Sequence, residues 1–114
     1  MSEADKRSRR GRKSALTREI NDIHRLIAED SVDEVRNRIA KLKEKFNEFE
    51  KAHDKYHDEL QEDAAIDESE EYFSKVQLSY IENLTVINKY VREQMQYAKS
   101  VEDAAKPSGE QSNK

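Results

Sequence analysis

The sequence predicts an all-α fold, an antiparallel three-helix, coiled-coil-like bundle, and three observations carry that prediction. Gly occurs twice and Pro once in 114 residues, so the usual punctuation of turns and strands is nearly absent. Apolar residues recur at heptad spacing between Val32 and Leu60. Two further stripes at helical spacing flank that segment, and no strand pattern occurs. With 40% Asp, Glu, Lys and Arg against 34% apolar residues, the chain holds one domain at most, around a thin core.

Taken in order, residues 1–13 are too basic and too poor in apolar side chains to predict a packed element, and they read as a disordered arm. Leu16, Ile20, Ile23 and Ile27 then repeat at steps of 4, 3 and 4, with Leu26 widening the stripe, which predicts a helix over 14–29. The step of five from Ile27 to Val32 would rotate an unbroken stripe by about 140°, so a turn belongs near Glu29–Ser31. Ser31 followed by Glu34 has the form of a capping box at a new helix start.

The second helix, over 32–61, carries the strongest signal. Val32, Val35, Ile39, Leu42, Phe46, Phe49, His53, Tyr56 and Leu60 alternate steps of 3 and 4, and His53 alone breaks the apolar character. A single seam along a helix of roughly 45 Å has to be covered by partner helices. Residues 61–67 form a short connection, which makes the second and third helices antiparallel neighbours. Asp67 with Glu70 offers a second capping box, and Phe73, Val76, Tyr80, Leu84, Ile87, Val91, Met95 and Ala98 line a wider stripe over 68–104. Residues 106–114, opening Lys106-Pro107-Ser108-Gly109, read as a flexible tail.

Composition also excludes function classes. With zero Cys there is no disulfide scaffold, thiolate zinc site, iron–sulfur cluster or cysteine nucleophile. No stretch approaches the roughly 20 apolar residues of a membrane span, and the Met1-Ser2-Glu3-Ala4 opening resembles neither a secretory signal nor a myristoylation site. An intracellular, cytoplasmic chain is expected, with nuclear entry open to it through its basic segment. The net charge of −4 hides an asymmetry: residues 1–28 carry eight cations against four anions, whereas Asp58, Glu59, Glu62, Asp63, Asp67, Glu68, Glu70 and Glu71 follow one another without a Lys or Arg between them. Such an acidic run reads as a solvated turn.

Three features bear on chemistry. Lys6, Arg7, Arg9, Arg10, Arg12 and Lys13 can attract phosphates by counterion release, which makes them candidate nucleic-acid contacts. Weighed equally is a solubilising arm, and without interleaved aromatics neither base stacking nor sequence readout is supported. His53 and His57, at i and i+4, have a spacing that can chelate a divalent metal, but His53 sits in the seam and is better read as a hydrogen-bonded core histidine. Paired carboxylates such as Glu70 and Glu71 lack a Gly-rich loop, a nucleophile motif or a pocket-forming strand nearby, so solvated surface is the better reading.

The order of these features resembles a specific family. A basic opening from Lys6 to Lys13, an amphipathic helix with Leu16-Thr17-Arg18, a second helix with Phe46-Asn47-Glu48-Phe49 before His53 and Tyr56, an acidic turn, and Glu70-Glu71-Tyr72-Phe73 are similar to the N-terminal helical region of Gag-type polyproteins from BEL/Pao long-terminal-repeat retrotransposons. The resemblance covers about residues 7–98 and includes no zinc knuckle and no protease motif. It implies a non-enzymatic assembly module.

The expected function is therefore protein–protein association, with no catalytic residue, cofactor, metal or small-molecule substrate. The seam residues that would carry it are Ile39, Leu42, Phe46, Phe49, His53 and Tyr56 against Phe73, Tyr80, Leu84 and Ile87. The alternative is a nucleic-acid-associated protein whose bundle is a scaffold for the basic arm. A hairpin of the second and third helices that the first does not fully cover would leave a surface for self-association.

Overall fold

The computed structural model describes residues 3–105, and they form three helices: α1 (Glu3–Ala28), α2 (Val32–His57) and α3 (Asp63–Ala105). The all-α three-helix bundle is thus the architecture of the chain. Arg9 meets His53, Arg12 meets Glu48 and Glu19 meets Arg38, so α1 and α2 run antiparallel. Phe46 stacks on Tyr80 and Phe49 on Phe73, which makes α2 and α3 antiparallel as well. Arg9 with Ser69, His24 with Asn83 and Asp30 with Tyr90 pair α1 with α3 in parallel, at separations of 60, 59 and 60 residues.

The first helix begins at Glu3, so the disordered arm expected over 1–13 is corrected: its described part, residues 3–13, is helical. Glu3 and Asp5 in the first turn complement the helix dipole, and the Lys, Arg and Ala that follow are strong helix formers. Arg9 then anchors the segment to the other two helices. The second helix stops at His57 rather than 61, and the third starts at Asp63 rather than 68. The acidic run is therefore not a solvated turn throughout. Its latter half lies inside α3, where Asp63 in the first turn complements the helix dipole and the Ile66 amide already donates to the Glu62 carbonyl at 2.9 Å. Neither expected capping box forms. Asp67 lies inside α3, and Ser31 makes no side-chain cap.

The turn between α1 and α2 is built from the preceding helix instead. Asp30 takes φ 58°, its amide donates to the Ile27 carbonyl, and the Ser31 amide donates to the Leu26 carbonyl. This is a Schellman closure with Asp where Gly is usual, and the Asp30 carboxylate is held by the Tyr90 hydroxyl at 2.7 Å. Burial and this carboxylate push Tyr90 up to about 12.

Leu16, Ile20, Ile23 and Leu26 of α1, Val35, Leu42 and Phe49 of α2, and Val76, Tyr80 and Ile87 of α3 make the core. α1 and α2 are the closest pair of helices, and α3 stands further off across aromatic rings. The expectation that α1 leaves the hairpin uncovered is thus corrected: its stripe closes the core. What stays uncovered lies elsewhere. Tyr90 contacts the α1–α2 turn, Val91 still packs against the core, and from there α3 extends about 21 Å further to Ala105. The tail expected over 106–114 lies outside the described residues.

Candidate functional site

The residues that carry polar chemistry converge where the start of α1, the end of α2 and the start of α3 meet. The Leu16–Ile27 stripe projected back one heptad reaches Arg9, which is only 6% exposed. Its guanidinium plane lies between two phenol rings, 4.3 Å from the centroid of Tyr56 and 4.0 Å from that of Tyr72. Arg9 Nη1 donates to His53 Nδ1 at 3.2 Å and to Ser69 Oγ at 3.1 Å. Because Nδ1 accepts, the His53 ring is neutral with its proton on Nε2. Burial, the Arg9 cation and His57 bring its pKa down to about 4, outweighing the opposite pull of Asp54 and Asp58.

Ser69, 3% exposed, continues the chain. Its Oγ accepts from Arg9 and its proton can pass to His57 Nδ1 at 3.0 Å, while His57 Nε2 lies 4.0 Å from the Glu70 carboxylate. Serine, histidine and carboxylate in a row suggest a hydrolase triad, but the geometry opposes it. The hydroxyl is buried, one of its lone pairs is taken by Arg9, and Glu70 stands in solvent. What this arrangement does is satisfy a buried cation and clamp three helix ends together. Among the described residues, no group of three or more His, Cys, Asp or Glu is placed to hold a metal ion, and the His53–His57 pair is spent on this network.

The basic residues singled out in the sequence separate in space. Arg9 is buried, and Lys6, Arg7, Arg10, Arg12 and Lys13 are exposed. Lys6 lines a cleft with Glu68 beside the Arg9 sandwich, and Arg12 reaches Glu48 at 3.4 Å. At 100° per residue Lys6, Arg10 and Lys13 share one side of α1, and Arg7 points elsewhere. Further along, Arg38 pairs with the buried Glu19 at 3.1 Å and with Asp22, so α1 and α2 are also stapled by ions.

The seam fares differently. Leu42, Phe49, His53, Tyr80 and Ile87 are buried, and Ile39, Phe46, Phe73 and Leu84 are partly buried against them. Tyr56 leaves the seam to stack on Arg9. Sequence reasoning missed Ser69 and Tyr72, which carry no periodic signal of their own. It also missed the lone stretch of α3, where Met95, Tyr97 and Val101 are 42%, 68% and 49% exposed. No helix among the described residues is long and apolar enough to cross a membrane. No family model, curated protein or solved structure matches the chain, so its reading rests on its own residues.

Proposed function

We propose that the protein is a non-enzymatic self-association module that joins to a further helix through the free stretch of α3. One observation carries this reading. A helix of 43 residues packs on two of 26, and beyond Val91 it exposes Met95, Tyr97 and Val101, which no other helix among the described residues buries. Isolated helices of about 12–15 residues are marginal in water, so this stretch gains order from a partner. The assembly role implied by the likeness to retrotransposon Gag-type proteins belongs to the same proposal. A protease and polymerase reading frame continuing after Lys114 would support that part of it.

Size-exclusion chromatography with light scattering tests the reading. The protein should run as a dimer or larger at tens of micromolar, and Met95→Asp with Val101→Asp should return it to a monomer with an unchanged melting temperature. A monomeric wild type at that concentration would sink it.

Nucleic-acid binding is a second reading, favoured by the exposure of five cations near the start of α1. Lys6, Arg10 and Lys13 share one side, so single-stranded RNA binding should have a log–log salt slope of about −2, from about 0.7 per phosphate. Fluorescence anisotropy with these three changed to Ala checks it. Neutralising Asp67, Glu68 and Glu71 should tighten binding, since Glu68 shares the cleft with Lys6. Deleting residues 1–13 is no clean test, because it would remove Arg9.

A further inference from the structure

Arg9 is a buried cation without a buried anion. At 6% exposure it makes no ion pair among the described residues, whereas the equally buried Glu19 is paired with Arg38 at 3.1 Å. Its two hydrogen-bond acceptors, His53 and Ser69, are neutral, and both bonds come from Nη1, so the polar network meets one edge of the guanidinium. A guanidinium carries five N–H groups in a fixed fork, and the edge formed by Nε and Nη2 is left with its donors facing no acceptor among the described residues. A buried charge is costly without a counter-charge, and buried donors are costly without acceptors, so this edge calls for an anion.

A cleft of about 260 Å³ adjoins it, lined by Arg9 together with Lys6, Tyr56, Glu68, Ser69 and Tyr72. The two rings that flank the guanidinium and the hydroxyl that it bonds all belong to the wall, so the charged end of Arg9 lies at the cleft rather than its stem. We propose that this cleft binds a single phosphate group between Arg9 and Lys6. The site is independent of the association reading.

Charge and shape select that group. Lys6 and Arg9 stand against Glu68 alone, which leaves the cleft with a surplus of positive charge. Glu68 is exposed and makes no ion pair with either cation, so the wall does not neutralise itself. The Nε–Nη2 fork matches two oxygens of a phosphate, and the flexible Lys6 ammonium can meet a third. A carboxylate, with two oxygens, would leave Lys6 unused. The cleft is smaller than the about 300–1,000 Å³ of sites for drug-sized molecules, so it takes the group and not a whole nucleotide. An anion there would also offset the Arg9 charge that helps to keep His53 neutral, so phosphate binding and His53 protonation favour one another.

Thermal melting of the full chain at constant ionic strength tests the proposal. Phosphate stabilises folded proteins generally by exclusion from their surface, so the signature is a melting temperature that rises and saturates with inorganic phosphate and not with chloride. Lys6→Ala should raise the half-saturating concentration about three- to tenfold, and Glu68→Gln should lower it about two- to fivefold. Lys6 and Glu68 are exposed, so both variants keep the fold. Lys13→Ala should change nothing. In NMR titration the His53 ring should take its proton above about 4 when phosphate replaces chloride. Glycerol phosphate separates the sources: tighter binding than inorganic phosphate assigns the cleft to the end of a larger molecule, and equal or weaker binding to free phosphate. Stabilisation that does not saturate, equal losses in Lys6→Ala and Lys13→Ala, or an unmoved His53 would each overturn the site. Acetate as tight as phosphate would overturn the choice of group.

Discussion

The two ends of the bundle are built on opposite principles. At the end where α1 starts, the centre is a cation: Arg9 lies between Tyr56 and Tyr72 and donates to His53 and Ser69. At the other end the fully buried side chains are Ile23, Val35 and Ile87, and the α1–α2 turn closes over them while α3 runs on. Hydrogen bonding is directional and saturable, so the polar end is complete within one chain. Apolar contact is neither, and a stripe that continues past its neighbours can be extended by another helix. The contrast places a closed polar network at one end and an exposed, extendable apolar stripe at the other.

The largest effect is expected where the two halves meet. Phe49 is fully buried, stacked on Phe73 at 5.9 Å and 6.3 Å from the His53 ring. Phe49→Ala should cost about 3–5 kcal/mol in urea unfolding. Phe46 stacks on Tyr80 at 4.1 Å but is only partly buried, so Phe46→Ala should cost less. Equal losses would show that something outside the bundle covers Phe46.

Acid should then separate the ends. Unfolded His53 takes a proton near its ordinary value of 6.5, whereas in the fold it does so only at about 4. Between those values the unfolded state binds more protons, so stability is full above 6.5 and falls as pH drops toward 4, by on the order of 3 kcal/mol. Arg9 from α1, His57 and Asp54 from α2, and Asp58 beyond it set the field, and the anions are too weak to reverse the sign. His53→Leu should flatten the profile over that range. A profile as steep as wild type would assign the acid sensitivity to other groups.

These ends were not equally legible in the sequence. The α2 seam from Val35 to His53 was visible because heptad spacing is a local signal, and His53 stood out as the one polar residue in it. Arg9 was hidden by its neighbours: among six cations in eight positions nothing marks one as buried. The available signal was geometric, since Arg9 lies seven residues before Leu16 on the same stripe and opposite His53 in an antiparallel hairpin. The start of α3 was misplaced because Asp67 and Glu70 mimic a cap, while the helix begins a turn earlier at Asp63, the carboxylate that the dipole favours. The free stretch of α3 could not be read from periodicity, because its stripe is the same whether or not a partner lies against it.

Arg9→Lys sharpens the account of the polar end. Lysine keeps the charge but has no planar fork to lie between two rings while bonding two acceptors. It should lower stability by about 1–3 kcal/mol, with His53 Nδ1 or Ser69 Oγ left unsatisfied. Thermal melting at pH 7 reads the loss. Indistinguishable melting of Arg9→Lys and wild type would show that only the charge at this end matters.

The smallest effect asks whether α1 begins at Glu3 in solution. Gly11 lies in the helix between Arg10 and Arg12, and a Cβ added there would meet nothing within 4 Å. No contact is gained or lost in the fold, so only backbone entropy and helix propensity change. Gly→Ala in a helix interior is worth about 0.5–1 kcal/mol, through the freedom that glycine has in the unfolded chain and alanine lacks. Were residues 3–13 an unstructured arm, the same substitution would change that freedom equally in both states and leave stability unaltered. Gly11→Ala should therefore raise the urea midpoint by a small, reproducible increment. That gain should shrink in an Arg9→Lys background, where the start of α1 is less firmly held. A zero effect in wild type would separate the first turns of α1 from the cooperative unit that Arg9 closes.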